Sequence, residues 1–219
     1  MSLKPITLWS HKGGPNPWKV SMILEELKLP FTLKILEAPD MKKEPYESIN
    51  PNGRVPAIED PNTGITLWES CAIIEYLVEN YDKQHTISFI PGPKEAYEAK
   101  QWLFYQASGQ GPYFGQAVWF TVYHPEKVPS AVDRYINEIT RVSGVLDKVL
   151  KDKDFLIGGK YSYVDATFLP WYAIVFDLFA DRFNVEMDYL SLHTWLGRIK
   201  ARPAIVRSTK DREAIMKAE

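Results

Sequence analysis

Ile6 to Trp9 is a short apolar run that stops at Ser10-His11-Lys12-Gly13-Gly14-Pro15-Asn16-Pro17, a loop rich in breakers. A helical period follows, with Val20, Ile23, Leu24 and Leu27 on one face. Pro17 suits a first helical turn, and Asn16 stands where an N-cap belongs. Phe31 to Leu36 alternates and is rich in strand formers. A polar connection, Glu37 to Ile49, leads to a tight turn at Asn50-Pro51-Asn52-Gly53, then through Arg54-Val55-Pro56 into a short strand. Asp60 to Gly64 is a turn and Ile65 to Trp68 a second strand, so the two predict a hairpin. Ser70 is placed to cap a helix carrying Ala72, Ile73, Ile74 and Leu77. The order β-α-β-loop-β-β-α predicts a small α/β layer.

Beyond Pro91-Gly92-Pro93 the period is helical. Glu95 to Tyr105 has good helix formers and runs on into an aromatic-rich region, Tyr113 to Tyr123. Val132, Tyr135, Ile136, Ile139, Val142, Leu146 and Val149 form a stripe that reads as the core face of a bundle. Ser162-Tyr163-Val164-Asp165 reads as a capping box with Asp in place of Glu or Gln. The helix it opens is apolar nearly all round, so it is expected at the centre of the bundle, with Asp165 structural. Tyr189 to Arg202 predicts one more amphipathic helix, and Pro203 opens a last short one. The predicted organisation is an α/β domain over residues 1–83, a linker over 84–91 and an all-helical domain over 92–219.

Composition narrows the chemistry. The 219 residues carry a net charge of −2, with no basic excess to neutralise phosphates, so no nucleic-acid partner is expected. Cys71 is the single cysteine, which excludes an intrachain disulfide, a CxxC redox pair and a cysteine zinc cluster. No metal is expected. The first residues lack the apolar run of a signal peptide, and the most apolar stretch, Val164 to Ala180, is broken by Asp165, Pro170 and Asp177. No membrane association and a cytoplasmic location are therefore expected.

Five segments, in this order, resemble the cytosolic glutathione transferase superfamily over nearly the whole chain. They are Pro15 to Val20, Asn50 to Ala57, Glu69 to Ile73, Gly109 to Phe114 and the capped helix at Ser162. Asn50-Pro51-Asn52-Gly53-Arg54-Val55-Pro56 with the later Glu69-Ser70 marks the superfamily. Pro15-Asn16 and Gln110-Gly111-Pro112-Tyr113 are similar to the branch of bacterial nu-class enzymes and fungal transferases related to the prion-forming nitrogen regulator. The resemblance implies a thioredoxin-like N-terminal domain, an all-α C-terminal helical bundle, a homodimer and glutathione as co-substrate. Its second substrate would be a small hydrophobic electrophile or a disulfide, with disulfide or peroxide reduction favoured over aryl-halide conjugation.

The magnitudes agree with that chemistry. A thiol attacks as thiolate, and lowering its pKa from about 8.5 by one to two units takes roughly 1.4–2.7 kcal/mol. One amide hydrogen bond to the anion, about 1.5–3 kcal/mol, is sufficient, with the partial positive charge of a helix start beside it. Asn16 can be that donor, as the resemblance also implies, or it can be only an N-cap; Ser10 is the alternative and Thr7 a distant one. Val55-Pro56 resembles the family's cis-proline, which leaves the Val55 backbone able to pair with a peptide-like ligand. Ser70 can hold the γ-glutamyl carboxylate and Glu69 the ammonium. Arg54 can meet a ligand carboxylate, Lys42 or Lys43 the glycyl carboxylate, and Asn52 the ligand or only its own turn. Cys71 reads as a small buried thiol, and His11 as an exposed loop residue. Tyr113, Phe114, Trp119 and Phe120, with Tyr123, are candidates for the wall of an electrophile pocket. The competing expectation is a non-catalytic protein of the same fold that binds glutathione or a hydrophobic ligand, as a regulator or interaction module.

Overall fold

A computed structural model describes residues 2–217. They pack as two units. The first runs to Ser88 and takes back the chain from Ala201, and the second is Phe89–Lys200.

In the first unit, strand β1 (Ile6–Ser10) leads into helix α1 (Pro15–Glu26), and β2 (Phe31–Ile35) follows. A 3-10 turn at Ala38–Lys42 and the short helix α2 (Tyr46–Ile49) fill the segment that reads as a polar connection. The reason is Tyr46, which is 1% exposed and packs with Trp9 and Ala57 beneath the sheet. Strands β3 (Ala57–Asp60) and β4 (Ile65–Trp68) form the expected hairpin, and α3 (Ser70–Tyr81) follows. The sheet order is β2-β1-β3-β4, with β1 and β2 parallel and the other pairs antiparallel, a thioredoxin-like layer. Alternation along β1 puts Leu8 and Ser10 on one face and Trp9 on the other.

Asp82 follows α3 and accepts the N–H groups of Thr86, Ile87 and Ser88. The chain to Ser88 is thereby tied into the first unit, so the boundary falls inside the segment expected to be a linker.

The second unit is helical. Helix α4 (Lys94–Tyr105) runs through a π turn at Gln106–Gln110 into α5 (Gly111–Val118), and a second π turn covers Trp119–Tyr123. Gln106 donates to the Gln110 side chain, and Gln110 donates to the Phe168 carbonyl, so the motif around Gly109 serves to anchor these turns. Helix α6 (Pro129–Leu150) buries Ile136, Ile139, Val142 and Leu146, as its stripe predicts. Helix α7 (Tyr163–Leu178) is the buried centre. The four-residue α8 (Val185–Asp188) and α9 (Leu190–Lys200) complete the unit.

Helix α10 (Pro203–Lys217) departs from expectation in length and in place. It belongs to the first unit, where it packs on α1. Arg202 forks onto the Glu26 carboxylate at 2.6 and 2.9 Å, Arg207 pairs with Glu25, and the hydroxyls of Ser21 and Ser208 meet at 2.6 Å. Local periodicity reveals a helix there but not its partner, because the matching acids lie more than 170 residues upstream. No helix among the described residues is long and apolar enough to cross a membrane.

Candidate functional site

The first helix starts earlier than predicted. Pro15 opens α1 and Gly14 takes the N-cap position, so Asn16 lies within the first turn and is not the N-cap. Asn16 instead lines a polar cleft, together with Asn50, Asn52, Arg54, Val55, Pro56, Glu69 and Ser70. Seven residues singled out from the sequence thus meet in one place, drawn from three separate segments. Helix starts bring two of these segments there, and each start presents N–H groups that no helical carbonyl takes up.

The third segment is the turn before β3. Asn50 is 2% exposed, and its side-chain amide donates to the Arg54 carbonyl at 2.6 Å. The Tyr46 hydroxyl donates to the same carbonyl at 2.6 Å, and the Asn52 N–H donates to Asn50 Oδ1 at 3.0 Å. Gly53 has a φ of +60°, and a Cβ there would lie 3.0 Å from the Met41 carbonyl oxygen, so only glycine fits without movement. This clamp fixes the backbone that carries Arg54 and Val55 to the cleft. The Val55–Pro56 peptide is cis, as the resemblance implies, and so is Glu44–Pro45.

Glu69 holds a φ of +72°, a left-handed conformation that costs a non-glycine residue about 1–3 kcal/mol. It stands before α3 as its N-cap residue, and no side chain caps that helix. Ser70, expected as the cap, is the first helical residue and is buried.

Behind Ser70 lies a residue that sequence reasoning passed over. Lys19 of α1 is 2% exposed, and its ammonium approaches Ser70 Oγ at 3.5 Å. Burial pulls it down from 10.5 to about 8, a shift that Cys71 and Glu69 partly oppose. The available signal was spacing: Lys19 stands four residues before Ile23, on the apolar stripe, where an unexplained lysine is rare. Burial pushes the Cys71 thiol up, so it is held neutral and is a poor nucleophile.

Other candidates fall elsewhere. Ser10 is buried and contacts the His11 carbonyl at 3.4 Å. It lines a second cavity with Trp18, Ser21, Ser208 and Arg212, because strand alternation turns it toward α1 and α10 and away from Asn16. Lys42 does not line the cleft; it is exposed, with its stem against Gly53. Lys43 pairs with Asp40 at 3.3 Å. In the helical unit Phe114 is fully buried and meets Tyr172 edge to face, so it is core and not a pocket wall. Tyr113 is half-buried under Arg141, Phe120 stacks on Tyr135, and Trp119 is 47% exposed beside Tyr123.

Comparison with known proteins places this arrangement. Residues 13–80 match the model of the glutathione S-transferase N-terminal domain, and residues 112–203 that of the glutathione S-transferase C-terminal domain. A glutathione S-transferase-like protein of Aspergillus fumigatus, tpcF, is 52% identical over 95% of this chain and 96% of its own. Among solved structures, the glutathione transferase URE2P6 of Phanerochaete chrysosporium, in complex with oxidized glutathione, superposes with a TM-score of 0.93 at 47% identity. That match covers 97% of this chain and 98% of the other. Ure2p5 of the same fungus, cocrystallized with 1-(S-glutathionyl)-2,4-dinitrobenzene, has a TM-score of 0.88 at 41% identity and covers 99% and 98%. The chain belongs to the glutathione S-transferase family.

Proposed function

We propose that the cleft binds glutathione and that the Asn16 side-chain amide stabilises its thiolate. The observation that carries this reading is the meeting of Asn16 with Glu69, Ser70, Arg54 and the Val55 backbone in one cleft. Each group suits one part of the tripeptide. The Ser70 hydroxyl and the free N–H groups of α3 take the γ-glutamyl carboxylate, and Glu69 takes the ammonium. The Val55 backbone pairs with the cysteinyl unit as an added strand. Arg54 also lines the cleft, for the remaining carboxylate, with the Lys42 stem close by against Gly53. The thiol then falls near the first turn of α1, where the Asn16 amide N–H and the helix start both favour the anion.

The thiolate has two uses. On a disulfide it attacks one sulfur, the S–S bond breaks, and the other sulfur leaves as thiolate; a second glutathione then releases the first as glutathione disulfide. On an electrophilic carbon a C–S bond forms and the leaving group departs with its electron pair. We favour disulfide reduction, on the strength of the sequence resemblance and of a 47% identical relative held with oxidized glutathione. In the helical unit Tyr113 and Phe120, both against Tyr135, and Trp119, beside Tyr123, are partly exposed aromatics suited to an apolar second substrate. A cytoplasmic homodimer is the expected state.

The test is a panel of small disulfides, peroxides and aryl halides assayed with glutathione, for wild type and Asn16→Ala. Disulfide turnover that falls in the variant, with S-methylglutathione binding retained, supports the reading. Unchanged rates in Asn16→Ala remove Asn16 from the chemistry. Binding of glutathione without turnover across the panel points to a ligand-binding regulator of this fold.

A further inference from the structure

Lys19 is 2% exposed, and burying its charge is unfavourable unless groups nearby favour it; within the protein Cys71 and Glu69 do so in part. Lys19 sits behind the one wall of the cleft where a ligand carboxylate is expected. Its ammonium lies 3.5 Å from Ser70 Oγ, and Ser70 itself opens to the cleft. Lysine carries only donors, so the serine oxygen is the acceptor in that pair. With a lone pair of Ser70 so engaged, its O–H proton is left to donate elsewhere.

We propose that Lys19 is a positioning residue of this cleft: its buried ammonium orients the Ser70 hydroxyl to donate to the γ-glutamyl carboxylate of glutathione and supplies the positive charge behind it. The inference rests on the glutathione reading of the cleft. It also explains how a site with an exposed acid, Glu69, at its edge attracts an anion.

Charged and titratable groups approach Lys19 from the elements packed on α1. From α3 it faces Glu69 and Cys71, and Glu75 acts in turn on Cys71. The Ser70 hydroxyl also lies against Cys71, the group it leaves when a carboxylate enters. Strand β1 brings no charged side chain. From α10, Arg202 and Arg207 are engaged by Glu26 and Glu25, and Arg212 lies over the Trp18 ring at 4.5 Å. Burial lowers Lys19 to about 8, so its charge is present at pH 7 and is lost within reach of an ordinary titration. A bound carboxylate raises that value. The extra affinity is therefore complete below about pH 8 and disappears as pH rises through the higher value of the complex.

The experiment is calorimetric titration with S-methylglutathione, which has no thiol to ionise, from about pH 6.5 to 9.5, a window bracketing the Lys19 transition. It compares wild type, Lys19→Arg, Lys19→Met, Ser70→Ala and the Lys19→Met/Ser70→Ala double variant. Wild-type affinity is expected to fall on the order of tenfold across the alkaline half of the range, the size of one charged hydrogen bond. Lys19→Arg keeps its charge throughout, so it retains only the part of that fall due to the ligand's own ammonium. Lys19→Met weakens binding on the order of tenfold at pH 7, and the double variant is no worse than the weaker single, because the two residues act as one unit. Superimposed pH profiles for wild type and Lys19→Arg overturn the proposal while leaving the glutathione reading intact. Absence of binding by wild type overturns both. Should Lys19→Met fail to fold, the wild-type and Lys19→Arg profiles decide alone.

Discussion

Two helix starts in this protein use the same residue types, a serine and an acid, to opposite ends. At α7, Asp165 stands three residues after Ser162 and is fully buried. Its carboxylate accepts the Ser162 N–H and hydroxyl at 2.9 Å each, the Leu156 N–H at 3.1 Å and the Trp195 indole N–H at 2.9 Å. That start closes on itself and ties α9 to α7. At α3 the acid precedes the serine: Glu69 is exposed in a strained conformation, Ser70 faces a cleft, and no side chain caps the helix. An acid three residues into a helix reaches back to satisfy the free N–H groups, whereas an acid just before it cannot, and those groups stay open for a ligand. The order of two residues thus separates a structural start from a binding one.

The comparison breaks first at Asp165. Asp165→Ala strands the donors of Leu156, Ser162 and Trp195 in the interior and is expected to destabilise the protein by about 3–5 kcal/mol. Chemical denaturation measures this, and a loss below about 1 kcal/mol would mean that water replaces the carboxylate at little cost. Next comes Asn16, a residue of the first turn of α1 and not its N-cap. Asn16→Ala should cut glutathione-dependent turnover by roughly 10–100-fold at neutral pH, the equivalent of one charged hydrogen bond. The acid limb of its pH–rate profile moves up by about one to two units as the thiolate loses its donor. A drop in turnover with no shift of that limb would assign Asn16 to positioning the tripeptide.

The two serines give the matched pair. Ser162→Ala removes one hydrogen bond at a closed start and is expected to cost about 1 kcal/mol of stability, with affinity for S-methylglutathione unchanged. Ser70→Ala does the reverse, weakening that affinity on the order of tenfold with little effect on the unfolding midpoint. If both variants move stability and neither moves affinity, the two starts are alike and the distinction drawn between them is lost.

Much of this contrast is legible in the sequence. The capping box at Ser162 follows from spacing alone, because its partners lie within four residues. The cleft was legible too, as its three segments carry distinctive residues on either side of breakers. What escaped are the groups whose roles depend on distant partners. Tyr46 sits in a polar stretch and shows its purpose only against Trp9 and the Arg54 carbonyl. Helix α10 reads only as a last short helix opened by Pro203 until Arg202 and Arg207 meet the acids of α1. Ser10 and Asn16 were both plausible donors from a loop whose exact helix start decides between them, and helix ends are the least certain part of any periodic pattern. Phe114 and Trp119 belong to one aromatic run, and only the π turns on either side of α5 decide which faces the core.

The smallest effect is expected at Lys42, where the cleft meets bulk solvent. Its stem lies on Gly53, and its head is exposed and outside the cleft's lining. A flexible, hydrated ammonium gains little from a carboxylate in water, about 0.2–1 kcal/mol at most. Lys42→Ala should therefore weaken glutathione binding by no more than about fivefold, and raising the salt concentration should erase the difference in wild type. The buried Lys19 beside Ser70 should keep its effect at the same salt, because screening ions do not reach it. A large, salt-resistant loss in Lys42→Ala would show that the Ala38–Lys42 turn folds over the ligand and excludes solvent, which would make that turn part of the site.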